Sequence, residues 1–387
     1  MRILYIASSG GAGGASVALL NLISRLLTDK YEIHVVFPSE GSFSEQVEML
    51  GIKCHYVGFY RLTTYPRTES LKSRIKYPYT LINTLFNNYF AYKNLLNLCL
   101  DLMPDLIHTN VGPLDIGFKV AKKLNIKHVW HLREYQDLDF NLKFFPSKSQ
   151  FINYINAPSN YCIAITKGVF EYWRLEGENH RMIYDGVIDH DYKKKHINSN
   201  KQKIFLFVGR VEKAKGVDIL LNAFAKFCKE NDEFNLLIAG NGHGRFLDEC
   251  LHFVEHHKID NRVSFLGHRT DIYSLMSEAT ALIVPSRFEG FGFITVEAMY
   301  NKCLVIGKNT AGTKEQFDLG LEQTANEIAL RFSSEDELLE EMKVAISLTA
   351  NEYDSITKRA FEVISKNYKI EDHVKCVESF YNLIIKK

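Results

Sequence analysis

Ala281-Leu282-Ile283-Val284-Pro285-Ser286-Arg287-Phe288-Glu289-Gly290-Phe291-Gly292-Phe293-Ile294-Thr295-Val296-Glu297-Ala298-Met299 runs from an apolar stretch through a glycine turn into a helical pattern. A short apolar run bounded by a turn reads as a buried strand of a parallel sheet. The two glycines permit a close backbone approach. A helix starting near Gly292 aims its unpaired amide N–H groups and its positive end beyond the strand. That arrangement suits a diphosphate, offered by the amides of Gly290, Phe291 and Gly292.

Working outward, the same strand-then-helix unit recurs. Strands are predicted at 203–208, 236–239, 263–266, 281–284 and 304–306, and in the first half at 3–7, 32–37, 53–57, 105–109, 127–131 and 161–165. Ile116, Val120 and Leu124 give the helix after Asp115 one apolar stripe. Residues 189–201 are polar and nearly free of apolar side chains, which marks a boundary. The expectation is an α/β chain of two doubly wound, Rossmann-like domains facing a central cleft. They cover 1–188 and 203–368, joined by a linker at 189–202 and followed by an amphipathic helix in 369–387 free to pack back on the first domain.

The chain has 387 residues and 46% hydrophobic content, enough for two ordinary cores. A formal charge of +1 offers no global field for nucleic acid, and no nucleic-acid partner is expected. Seven scattered cysteines without C-x-x-C spacing read as free thiols of a reducing cytoplasm. No stretch reaches the ~18 uninterrupted apolar residues of a membrane span. The expected location is cytoplasmic, with the inner face of the cytoplasmic membrane as the alternative.

Glu289 precedes the predicted helix and Glu297 stands eight positions on, inside it. A carboxylate accepts two hydroxyl hydrogen bonds at once, so Glu297 suits a ribose diol and Glu289 the hydroxyls of a sugar. The strand ending at Val208 leads into Gly209-Arg210-Val211-Glu212-Lys213-Ala214-Lys215-Gly216, which sets Arg210 and Lys215 in a βα loop. Two cations there can offset charge on a departing diphosphate, a task other enzymes give to a metal ion. His131 ends a predicted strand and precedes Arg133, Glu134 and Asp137. Asp137-Leu138-Asp139 spells D-x-D, a metal-binding pattern, but the Arg210 and Lys215 pair makes a metal unnecessary, so no metal ligand is assigned.

Glu289-Gly290-Phe291-Gly292 with Glu297 resembles the E-x7-E signature of the family-4 retaining glycosyltransferases, whose fold is called GT-B. Gly209-Arg210 with Lys215-Gly216 resembles that family's phosphate-binding R-x4-K-G. In order along the chain, the glycine loop holding Gly11, Gly13 and Gly14, Asp185-Gly186-Val187, Gly240-Asn241-Gly242 and Gly312-Thr313 with Glu315 resemble its further turns. The likeness covers nearly everything except residues 60 to 100. It implies an enzyme, a hexosyltransferase type, that moves a sugar from a nucleotide-diphosphate sugar, a co-substrate with no further cofactor. The acceptor would be a glycan or a lipid-linked group, in surface polysaccharide or glycoconjugate synthesis. His131 would position the transferred sugar, and Glu289, Arg210 and Lys215 would serve the reaction. Asp185 departs from the family's usual Asn, and Tyr300-Asn301-Lys302-Cys303 from its usual small-residue turn.

Rival readings are an epimerase or hydrolase of the same fold, a catalytically silent sugar-binding subunit, and, less favoured, a nicotinamide dehydrogenase. Residues 60–92 interleave Arg61, Arg67, Lys72, Arg74 and Lys76 with Tyr65, Tyr77, Tyr79, Phe86, Tyr89, Phe90 and Tyr92. That mixture suits a peripheral contact with an anionic membrane or a phosphate-bearing lipid acceptor. A solvated helix pair with core aromatics is the plain alternative.

Overall fold

Parallel strands buried on both faces need near-continuous apolar runs, and the chain supplies two sets of them. The computed structural model describes every residue except 12, 61–63, 67–70, 113, 145–146, 190–200 and 387, and leaves out the side chains of 64–66 and 71–74. It divides into unit 1, Met1–Gly186 with Ile370–Lys387, and unit 2, Val187–Lys369.

Unit 1 runs β1 (Arg2–Ile6), α1 (Gly14–Leu26), β2 (Glu32–Phe37), α2 (Ser42–Met49), β3 (Lys53–Tyr56), β4 (Thr64–Pro66), α3 (Leu71–Leu102), β5 (Leu106–Thr109), α4 (Ile116–Leu124), β6 (Lys127–Leu132), β7 (Leu142–Phe144), α5 (Lys148–Ile155), β8 (Tyr161–Ala164), α6 (Lys167–Tyr172) and β9 (His180–Met182). Seven strands form one parallel sheet in the order β3-β2-β1-β5-β6-β8-β9, while β4 and β7 pair antiparallel apart from it.

Unit 2 runs β10 (Gln202–Val208), α7 (Val217–Phe227), β11 (Asn235–Ala239), α8 (Arg245–His256), β12 (Val263–Gly267), α9 (Ile272–Glu278), β13 (Ala279–Val284), α10 (Phe293–Tyr300), β14 (Leu304–Lys308), α11 (Ala311–Thr324), β15 (Leu330–Phe332), α12 (Glu335–Ser347) and α13 (Ala350–Asn367). Its sheet is parallel in the order β12-β11-β10-β13-β14-β15. The last helix, α14 (Ile370–Lys386), belongs to unit 1.

Strand alternation sorts the two faces of the first sheet. Ile3 and Tyr5 join Val35, Phe37 and the α1 residues Leu19 and Leu22 on one face, and Leu4 and Ile6 meet Leu95, Ile116 and Val120 on the other. The first of these clusters is completed by Val374, Val377, Phe380, Tyr381 and Ile384 of α14, the stripe expected to pack back on the first domain. In unit 2, Phe205, Phe207, Leu220, Phe224, Leu236 and Ile283 lie in one core.

The predicted strands recur with ends within two residues. The short strands β4, β7, β9 and β15 carry too few residues to show a period and were not predicted. Residues 71–102 form one long helix in place of the helix pair considered as the alternative. Most of the expected linker lies outside the described residues.

Phe380 is 3% exposed in the α14 core. Phe380→Ala should cost unit 1 about 3–5 kcal/mol in denaturant unfolding while leaving the unit 2 transition in place. A cost below about 1 kcal/mol would show that the Phe380 ring contributes little to the unit 1 core.

Candidate functional site

In unit 2, β10 lies between β11 and β13, where the strand order reverses, so the loops following these strands adjoin. The loops after β10 and β11 are zipped together. Gly209 N–H donates to Ala239 O at 2.9 Å, Val211 N–H to Asn241 O at 2.9 Å, and Val211 bridges to Gly242. Gly240 has φ +148° and a Cβ there would lie 1.9 Å from Gly209 O, so only glycine allows this approach. Arg210 and the Gly240–Gly242 turn are thereby brought together. The Arg210 guanidinium is exposed and pairs with Glu212 at 2.8 Å.

The loop after β13 is braced to the loop after β10. Lys215 Nζ donates to both oxygens of Glu289, at 2.9 and 2.8 Å. Arg287 N–H donates to Ala214 O, and the Arg287 guanidinium donates to both carboxylate oxygens of Asp218, at 2.9 and 2.8 Å. Arg210, Lys215, Glu289 and the 290–292 turn therefore lie at one end of one sheet. Arg287 and Asp218, which no motif singled out, hold it there.

Carbonyls of the 289–292 segment are occupied from α11. Gly312 N–H donates to Glu289 O at 2.9 Å, and Gln316 Nε2 donates to Phe291 O at 2.6 Å and to Gly292 O at 3.3 Å. Gly292, at φ +91°, caps α10, and neither a capping side chain nor an acidic residue stands in that helix's first turn. The positive end of α10 is left for an anion. The Phe291 ring is buried against Phe293 and Tyr368, so only its backbone can serve a ligand. Thr295 Oγ1 is buried without a hydrogen bond, a polar group at this helix start that the sequence reading passed over.

Glu297 lies on α10, half-buried, with the Tyr273 hydroxyl 3.4 Å from one carboxylate oxygen. Burial pushes its carboxyl up to about 7, only partly opposed by that hydroxyl.

In unit 1 the glycine loop follows β1. Gly11 N–H donates to Ser9 Oγ at 3.0 Å, and Ser16 Oγ donates to Gly11 O at 2.9 Å. Gly13 caps α1 with no side-chain bond, and a Cβ at Gly13 or Gly14 would meet open space. Asn110, just past β5, donates from Nδ2 to Ala15 O at 3.0 Å and accepts from Arg133 Nε at 3.2 Å. Arg133 also reaches Asp185 and His131. The glycine loop's helix and His131 thus belong to one hydrogen-bonded network.

His131 is fully buried, and donor rules fix its protonation. A guanidinium only donates, so His131 Nδ1 accepts from Arg133 at 3.3 Å and the neutral ring carries its proton on Nε2. His108 Nε2, 3.2 Å from the same Nδ1, must then donate to it, and His108 Nδ1 accepts from the Tyr381 hydroxyl at 2.6 Å. Burial, then Arg133, holds both histidines well below the usual range and so neutral. His373 donates from Nδ1 to Tyr184 O at 2.7 Å. This leaves His131 Nε2, Asp185 Oδ1 and His373 Nε2 as buried polar atoms without a hydrogen bond, the first two 3.9 Å apart.

Asp137 and Asp139 point to local partners. Asp137 accepts from the Tyr172 hydroxyl and faces Lys148 at 3.7 Å, while Asp139 accepts from the Tyr135 N–H at 2.8 Å and is pushed up to about 6 by burial. Among the described residues there is no cluster of three or more His, Cys, Asp or Glu side chains fit for a metal ion.

A carboxyl whose folded value stands above its unfolded one binds extra protons when folded, so its contribution to stability is lost as pH rises through the folded value. Glu297→Gln removes that loss. Its Tm relative to the unsubstituted protein should therefore increase between about pH 5 and pH 8. A difference that stays constant over this range would mean that Glu297 titrates as an ordinary surface acid.

The sequence pattern of the glycosyl transferases of group 1 matches residues 189–363. An uncharacterised glycosyltransferase of Methanocaldococcus jannaschii, MJ1178, is 29% identical over 239 residues, 60% of this chain and 63% of the relative. The O-antigen biosynthesis glycosyltransferase WclY of Escherichia coli is 22% identical over 334 residues, 82% of this chain and 83% of its own. Among solved structures, Anabaena Alr3699/HepE in complex with UDP and glucose superposes with a TM-score of 0.77 at 18% identity, covering 99% of each chain. That likeness extends the GT-B glycosyltransferase fold over both units. Residues 189–363, which hold the loops carrying Arg210, Lys215 and Glu289, are thus similar in sequence to the glycosyl transferases of group 1.

Proposed function

We propose that the protein transfers a sugar from a nucleotide-diphosphate sugar, with retained anomeric configuration and without a metal ion, to a glycan or lipid-linked acceptor. The observation that carries this reading is the Lys215–Glu289 pair, a cation and a carboxylate from two loops joined beside the uncapped start of α10. A diphosphate at that helix start would draw on Lys215 and Arg210, leaving Glu289 to accept hydroxyl hydrogen bonds from the sugar. Glu297 would take the ribose diol. The resemblance assigns His131 a role in positioning the transferred sugar; in this structure its Nε2 is enclosed, 3.9 Å from Asp185 Oδ1. No enzymic nucleophile is assigned, and a donor phosphate oxygen would take the acceptor's proton.

The names of similar proteins support the donor and the setting. HepE structures hold UDP, glucose and UDP-glucose, and WclY is named for O-antigen biosynthesis. A role in surface polysaccharide or glycoconjugate synthesis at the cytoplasmic side of a membrane fits that company.

A thermal-shift panel of UDP, GDP and ADP tests the donor site. One of them, well above its Kd, should raise the Tm by a few degrees, and Lys215→Ala should abolish the shift. Glu289→Ala should lower transfer by about 10²–10³-fold. Full transfer by that variant would overturn the site. Donor consumption at the same rate without an acceptor would favour the hydrolase or epimerase reading, and an inverted anomer in the product would exclude retention.

A further inference from the structure

The long helix α3 carries two apolar faces. At 100° per residue, Thr84, Ala91, Leu95 and Cys99 share one side, and all four are buried. Ile75, Tyr79, Ile82, Phe86 and Tyr89 share another, roughly 180° away, and are 73%, 74%, 67%, 61% and 52% exposed. Exposed large apolar residues scattered singly need no explanation, but a continuous row of them on one helix face does. The helix is also one-sidedly charged: its sequence holds Lys72, Arg74, Lys76 and Lys93, and Asp101 is its only acid.

A cavity of about 830 Å³ opens on the flank of the same helix, between α3, α4 and α5. Leu85, Tyr89, Tyr92, Phe118, Phe151 and Tyr154 give it an apolar and aromatic wall, and Tyr89 also belongs to the exposed row. Lys119, Lys122 and Lys123 of α4 add cations to its lining. Lys119 is paired with Asp115 at 2.7 Å. Lys122 and Lys123 are exposed, and no ion pair engages them among the described residues.

An apolar cavity edged by unpaired ammonium groups matches an amphiphile with an anionic head. Free phosphate has no use for the aromatic wall, and an uncharged chain none for the lysines. The exposed row beside the cavity extends the apolar surface in the way an interfacial helix does, aromatic and aliphatic on one side with lysines around it. We propose that this face of α3 lies on an anionic lipid bilayer and that the cavity takes a phosphate-bearing lipid from it. The bilayer contact stands on these observations alone. That the lipid carries the sugar acceptor rests on the glycosyltransferase reading above.

Co-sedimentation of the full chain with vesicles of phosphatidylcholine, with and without one-third phosphatidylglycerol, tests the contact independently of transfer. The expected result is binding to the anionic vesicles at least about tenfold stronger than to phosphatidylcholine alone. Lys122→Glu/Lys123→Glu should lower it by about tenfold or more. Phe86→Ser/Tyr89→Ser, at exposed positions where the fold does not depend on the ring, should lower it at least fivefold. Both variants should keep the parent's Tm and its thermal shift with the donor nucleotide, because unit 2 is untouched.

Equal binding to both vesicle types, or none, overturns the proposal. Retention of binding by the Phe86 and Tyr89 variant overturns it too, since charge alone would then suffice. So does full displacement from vesicles by glycerol phosphate, which would identify a soluble phosphate as the occupant. Lipid-independent self-association that the same variant abolishes would give the face to a second copy of the chain. If vesicle binding behaves as expected but no sugar is transferred to any lipid phosphate, the lipid contact stands and the acceptor reading fails.

Discussion

The Lys215–Glu289 contact is the constraint around which unit 2 is organised. An ion pair of two partly exposed side chains adds little to stability. Its value lies in position: one ammonium meets both carboxylate oxygens and pins the loop after β13 to the loop after β10. Arg287 repeats the brace from the other side through Asp218 and Ala214 O. With the loop so held, Gln316 and Gly312 can occupy its carbonyls and the start of α10 stays open to an anion. On the proposed reading the pair is also a placeholder, since an arriving diphosphate competes for Lys215 and frees Glu289 for the sugar.

Unit 1 is organised by a different charge. Arg133 is almost fully buried, and a buried guanidinium needs a counter-charge. Asp185 supplies it, which gives a physical reason for an acid where the similar family usually has Asn. Arg133 in turn dictates the proton on His131, orients His108 and reaches the start of α1 through Asn110. Tyr381 brings α14 into the same network, so the last helix of the chain is part of the environment of His131 as well as of the core.

Much of this was legible in the sequence, and what was missed has a common cause. The apolar runs of four or more residues announced their strands, and the motif around Glu289 announced a glycine turn into a helix, because both signals are local. Arg210, Lys215, Glu289 and Glu297 could be gathered because each sits in a βα loop of neighbouring strands or in the helix that follows it. His108, Asn110, His373 and Tyr381 could not. They carry no motif, and the bond between His108 and Tyr381 crosses 273 residues of chain. Burial of His131 was equally invisible, since a strand-end histidine reads the same whether it faces solvent or a network of other side chains. The mixed character of residues 60–92 was visible, but the single long helix and the cavity beside it depend on packing against α4 and α5.

The most direct test is a crystal structure with the nucleoside diphosphate that stabilises the protein best. The account predicts phosphate oxygens within hydrogen-bonding distance of Lys215 Nζ and of the first amides of α10, with Glu289 released from Lys215. A nucleotide bound elsewhere, or bound while Lys215 still holds both oxygens of Glu289, would contradict it.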